Sequence, residues 1–176
     1  MFRLHPEQGY VHEIAGTYEI KTDMRYHTVP TKTCDEKAAL LGWPSSRVVK
    51  ALYLCDGNGY IGLVTPETGQ PIDFRAVLAE GLGITKNKAG RYRFNGTPAG
   101  MTYGTCTPFI LESSAGKQVS KIIIADPFSL KDTVVDISVG GETDDAFLTS
   151  MHIPYDAIHE ILYRKFGEGF VKKQEQ

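Results

Sequence analysis

No apolar run in the chain approaches the about 20 residues needed to span a bilayer. The start, Met1-Phe-Arg-Leu-His-Pro-Glu7, lacks the apolar stretch of a secretory leader. Cysteine is scarce: Cys34, Cys55 and Cys106 are odd in number, widely spaced and without a C-x-x-C pair, which argues against a disulfide framework or a thiolate zinc site. His5, His12, His27, His152 and His159 fall at neither H-x-H nor H-E-x-x-H spacing, so no metal and no cofactor is expected. Charge of one sign is also missing. Nineteen Lys and Arg against 21 Asp and Glu leave a formal net charge of -2. That excludes the global basic field behind nonspecific nucleic-acid binding, so any such contact is local and DNA is not an expected partner. Repeats, low-complexity blocks and linkers are absent too. What remains is a globular chain of 176 residues, 41% hydrophobic and 23% charged, long enough for one domain with a sizeable core. A cytoplasmic location and no membrane partner are the expectations.

Against this ordinary background stands Lys50, inside Arg47-Val-Val-Lys-Ala-Leu-Tyr-Leu-Cys55. Side chains alternate across a strand, so Val48, Lys50, Leu52 and Leu54 share one side and Val49, Ala51, Tyr53 and Cys55 the other. Neither side is polar. An ammonium there loses hydration at a cost of several kcal/mol, so it must shed its proton or meet an anion. A lysine that snorkels to water or pairs with a structural carboxylate is the plainer alternative.

A second feature lies downstream, in Gly96-Thr-Pro-Ala-Gly-Met-Thr-Tyr-Gly-Thr-Cys-Thr-Pro-Phe109. Glycine and proline both oppose a helix here. The segment can instead be a tight loop whose backbone N–H groups hold an anion or a developing oxyanion. A wide turn between strands is the bland alternative. Lysine and loop together point to an anionic or acyl substrate.

Elsewhere Thr33-Cys-Asp-Glu36 forms a capping box that opens a helix, with Ala38 and Leu41 inward and Gly42 at its end. Strands are predicted at about 47–55 and 60–65, joined by Asp56-Gly-Asn-Gly59. Asp73 caps a short helix burying Phe74, Val77 and Leu78 and ending at Gly81. Apolar segments follow at Phe109–Leu111, Ile122–Ala125 and Thr133–Val139, the last containing Asp136, whose plain reading is a solvent-facing edge charge. Gly140-Gly141 marks a turn before a short strand at Ala146–Met151. A helix over about 154–166 and a frayed charged tail after Phe170 complete the chain. Interspersed helices and strands favour an α+β fold with a mixed, curved sheet.

These residues resemble the YbaK/prolyl-tRNA synthetase-associated domain family of aminoacyl-tRNA editing domains. The resemblance runs from about Tyr18 to Leu162 and implies a single domain over 1–176 with a barrel-like mixed sheet flanked by helices. The family's early histidine and threonine-led helix resemble His27 and Thr33-Cys-Asp-Glu-Lys-Ala-Ala39. Its lysine strand resembles Val48-Val-Lys-Ala-Leu52, and its G-x-x-x-P loop resembles Gly104-Thr-Cys-Thr-Pro108 with Gly100 four residues ahead. Its late aspartate and small turn resemble Asp126 and Ser138-Val-Gly140. Thr105 departs from a frequent second glycine, Thr107 from a frequent serine, and the His27–Thr33 spacing is one residue longer than the family's. The first seventeen residues have no counterpart.

The resemblance implies hydrolysis of the ester joining a wrong amino acid to a tRNA, typically proline tRNA carrying alanine or cysteine, as a second sieve. The implied partners are the mischarged tRNA and, left open, a synthetase, with no metal and no covalent enzyme intermediate. Amides of Thr105, Cys106 and Thr107, held open by Gly104 and stiffened by Pro108, are expected to face the ester oxyanion. Lys50 is expected on the adenosine phosphate or the ester, not as a general base, a role needing a strongly lowered pKa. His27, Gly100, Pro108, Phe109, Asp136, Ser138 and Gly140 are expected around the substrate. Asp136 is open to pairing with Lys50. His27 is open to an acid–base or a structural role. Lys86, Lys88, Arg91 and Arg93 are the local basic cluster available to tRNA phosphates. Two other readings stay open: a non-catalytic module binding the tRNA 3′ end, and a thiol hydrolase using Cys106.

Overall fold

A computed structural model describes residues 16–17, 19–109, 118–126, 128–141, 143–169 and 171–175. The leader-free start expected at residues 1–7 and the apolar Ile110 and Leu111 lie outside the described residues. The strands are β1 (Asp23–Tyr26), β2 (Val48–Cys55), β3 (Tyr60–Pro66), β4 (Val119–Asp126), β5 (Val134–Ser138), β6 (Thr149–Pro154) and β7 (Val171–Glu175). The helices are α1 (Cys34–Leu41), α2 (Phe74–Leu82), α3 (Lys86–Ala89) and α4 (Tyr155–Phe166). All seven strands form one mixed sheet in the order β1-β6-β5-β2-β3-β4-β7. Its end strands do not pair with each other, so among the described residues the sheet is open rather than barrel-like. No helix among them is long and apolar enough to cross a membrane.

The period-2 pattern of the strands sorts residues to two faces. Val49, Ala51, Tyr53, Val64, Ile122, Ile124, Val135, Ile137, Met151 and Ile153 pack with Ile158, Ile161 and Leu162 of α4. The opposite face buries Leu54, Ile61, Leu63 and Ile123 beneath Leu78 of α2. α1 covers that same face nearer β5. Its start follows the expected capping box: Thr33 Oγ1 accepts from the Glu36 amide (3.1 Å) and Glu36 Oε2 accepts from the Thr33 amide (3.1 Å). Gly42 ends it in the left-handed region, φ 66°.

Several expectations are corrected. Lys37 joins Ala38 as the buried residues of α1 while Leu41 is only half-buried, because a carboxylate waits below Lys37. α2 continues past Gly81 to Gly83, which caps it at φ 65°. Gly81 instead lets the helix approach β4, where a Cβ would overlap the Ile123 side chain. Residues 144–148 form a 3-10 turn, and the strand starts at Thr149. The tail expected to fray is β7, parallel to β4, which offers a row of otherwise unmatched backbone groups. Gln174 anchors it by donating to Glu80 (2.6 Å).

Candidate functional site

Strand pairing lapses at one place in the middle of the sheet. β5 runs parallel to β2 and pairs through Val48↔Asp136 and Val49↔Ile137, then diverges. Further along the same edge, Cys55 exchanges backbone hydrogen bonds with Arg93, both 2.8 Å. Between these two pairings opens a cavity of about 250 Å³. Residues of both faces of β2 line it, Lys50 and Leu52 from one, Ala51 and Tyr53 from the other. The remaining wall includes Ser138 at the end of β5, Lys32 to Cys34 at the start of α1, and Tyr103, Gly104 and Cys106 of the glycine-rich loop. Lys50 and the loop, 54 positions from Gly104, therefore meet.

Lys50 Nζ lies 2.6 Å from Glu67 Oε2, with the side chains 30% and 19% exposed. The anion required by the lysine's position is thus Glu67, just past β3. Its other oxygen accepts from the Gly69 amide (2.8 Å). These donors, Lys50 first, hold the Glu67 carboxyl below its usual range. Sequence reasoning missed Glu67, although the hairpin contains the signal. Lys50 pairs with Thr65 across the hairpin, and Glu67, two residues on, returns to the same face.

The loop is held from below. Met101, Cys106 and Phe109 are buried in the core, and the Tyr53 hydroxyl donates to the Thr107 carbonyl (2.8 Å). Gly104 adopts φ +88°, and a Cβ there would sit 3.3 Å from the Phe147 ring. Both the backbone angle and the ring favour glycine. The Thr105 amide donates to the Thr102 carbonyl (3.1 Å) and so is not open to an oxyanion, a correction to the expected three-donor set. The Thr107 amide meets no acceptor among the described residues.

Burial pushes the Cys106 thiol up to about 12 and the Cys34 thiol to about 11. Neither is a ready thiolate, which counts against the thiol-hydrolase reading. Cys106→Ser is expected to retain catalytic turnover within a few-fold in a deacylation assay. Loss of all activity in a folded Cys106→Ser variant would restore that reading.

Asp136 is neither solvent-facing nor paired with Lys50. β5 lies inside the sheet, and its Asp136 side chain, 2% exposed, faces α1. Lys37 Nζ is 3.9 Å away, and the Ser150 hydroxyl donates to Asp136 Oδ2. His152 Nε2 lies 3.2 Å from that oxygen without an aligned hydrogen bond, its ring against Trp43 at 4.5 Å between centroids. Because the single Ser150 proton is committed to Asp136, His27 Nε2 must donate to Ser150 Oγ at 2.9 Å. His27 is therefore a member of this buried network, outside the cavity lining.

Burial, then the nearby Lys37 charge, lowers the His27 pKa from 6.5. Above about pH 6.5 the unfolded and folded chains both carry it neutral. As pH falls, the unfolded chain binds the proton first, so stability is lost below about 6.5 toward the lower folded value. The urea midpoint is expected to fall between pH 7.5 and 5.5, and less so in His27→Gln.

Of the other expected residues, Ser138 lines the cavity, whereas Thr105, Thr107, Pro108 and Phe109 are buried behind it. Gly100 and Gly140, both at positive φ, shape turns outside the lining. The basic cluster also lies elsewhere. Lys86 is 3.8 Å from Asp73, and the Arg93 guanidinium donates to the Gly90 and Tyr92 carbonyls, beside a shallow depression containing Phe74 and Phe94.

No family model matches the chain, and no curated protein matches it. Solved structures do. The crystal structure of the hypothetical protein APE2540 aligns with a TM-score of 0.62 at 20% identity, over 93% of this chain and 97% of that one. A proposed trans-editing enzyme for prolyl-tRNA synthetase aligns at 0.62 and 14% identity, over 99% of each chain. A structure from the computational grafting of epitopes onto scaffold proteins aligns at 0.59 and 14%, over 98% and 97%. The chain shares their fold: a seven-stranded mixed sheet flanked by helices.

Proposed function

We propose that the chain, acting as one domain, is a trans-editing aminoacyl-tRNA deacylase that hydrolyses the ester of a mischarged tRNA. Proline tRNA carrying alanine or cysteine is the first substrate to try. The observation that carries this reading is the meeting of the Lys50 ammonium with Gly104 and Cys106 of the glycine-rich loop in one cavity. The full-length likeness to a proposed trans-editing enzyme supports the same class. Lys50 binds the anionic phosphate of the terminal adenosine. The ester carbonyl lies against Gly104 and Cys106, where the peptide dipoles of the loop offset the charge that grows as water attacks. Ser138 and Cys106 bound the space for the amino-acid side chain, so the cavity admits small residues.

No histidine lines the cavity among the described residues, so the attacking water is oriented by backbone atoms and by the ribose hydroxyl of the tRNA itself. The test is a panel of alanyl-, cysteinyl- and seryl-tRNA offered to the purified chain, with release of free amino acid as the readout. Turnover on at least one is expected. Binding of the acceptor end without turnover would favour the recognition module instead.

A further inference from the structure

Glu67 has a role that the deacylase reading does not use. The cavity contains a charge pair, not a lone cation: Lys50 and Glu67 are 2.6 Å apart and both line it. The Gly69 amide fixes Glu67 Oε1 and Lys50 holds Oε2. A carboxylate accepts about four hydrogen bonds, so these two donors leave it able to take a further one. An aminoacyl ester bears its own pair of opposite charges, a phosphate on the nucleotide and an α-ammonium beside the reacting carbonyl.

Resting on the deacylase reading, we infer that Glu67 is the subsite for the α-ammonium of the esterified amino acid. Phosphate, Lys50, Glu67 and ammonium then alternate in sign, and each cation sits next to an anion. The same arrangement rejects esters whose amine is acylated. A blocked nitrogen has lost its charge, and its acyl group would displace Lys50 from the carboxylate. Free-amine esters are thereby separated from peptidyl and N-formyl esters, which a hydrolase active in translation must spare.

The experiment compares alanyl-tRNA with N-acetylalanyl-tRNA in wild type and Glu67→Gln. Gln retains an acceptor for the Gly69 amide, so the fold is kept. Wild type is expected to prefer the free amine by about 10- to 100-fold, the range of a charge-assisted hydrogen bond, and Glu67→Gln to lose most of that preference. Equal wild-type rates on both esters, or a preference that survives in Glu67→Gln, would overturn the inference.

A second arm measures calorimetric binding of 3′-alanylamino-3′-deoxyadenosine 5′-phosphate and its N-acetyl form, neither of which can be cleaved as an ester. Glu67→Gln is expected to weaken the first and spare the second. Equal weakening of both would mean that Glu67 acts only through Lys50 and would overturn the ammonium subsite. Selective binding in wild type without any ester turnover would remove the deacylase reading and leave the subsite standing.

Discussion

Lys50→Ala is expected to lower kcat/KM for deacylation by on the order of 10²-fold or more, the scale of losing one preorganised charged donor. The loss should be readable as function, not as unfolding. Glu67 keeps the Gly69 amide and is partly open to water at 19% exposure, so removing its partner leaves no fully buried charge. A urea midpoint close to wild type beside a collapsed rate is the expected pair of results. If Lys50 binds phosphate, much of the effect falls on KM. A rate within threefold of wild type would remove Lys50 from the site.

The largest effect on stability is expected at Asp136. Asp136→Ala leaves the Lys37 ammonium, 9% exposed, without its counter-charge and takes the acceptor from the Ser150 hydroxyl. Breaking a buried ion pair from one side costs about 3–5 kcal/mol. Burial already lowers the Lys37 pKa, and the Asp136 charge is what opposes that shift. Lys37→Met combined with Asp136→Leu is expected to be less damaging than Asp136→Ala alone, since replacing both members removes the stranded charge. Urea unfolding of the two variants beside wild type gives the comparison. A loss below about 1 kcal/mol for Asp136→Ala would show that water or neighbouring groups carry the Lys37 charge without help.

These two residues also mark where sequence reading succeeds and stops. Lys50 stands out because its neighbours on β2 are all apolar, and any strand through residues 48–55 makes it anomalous. The Thr33–Glu36 capping box is equally legible, being complete within four residues. Asp136 is not, because its surroundings come from Lys37, about a hundred positions earlier, and from Ser150 on the next strand. An alternating strand pattern cannot say whether a polar face meets water or a helix. β7 was obscured for the same reason: a charged terminal segment pairs when a distant edge offers partners. Glu67 lay within reach, since the two-stranded register places it on the lysine's side. The loop amides were overcounted because a tight turn satisfies some of its own donors, as Thr105 does.

The break in pairing beside β2 has a consequence for how such a pocket changes over time. Its cationic wall hangs from one layer of the molecule and its peptide wall from the other, with β2 between them. Replacements at Ser138 or around Tyr103 can therefore resize the cleft without disturbing the Lys50–Glu67 couple. Substrate range and charge recognition are in this way free to drift independently.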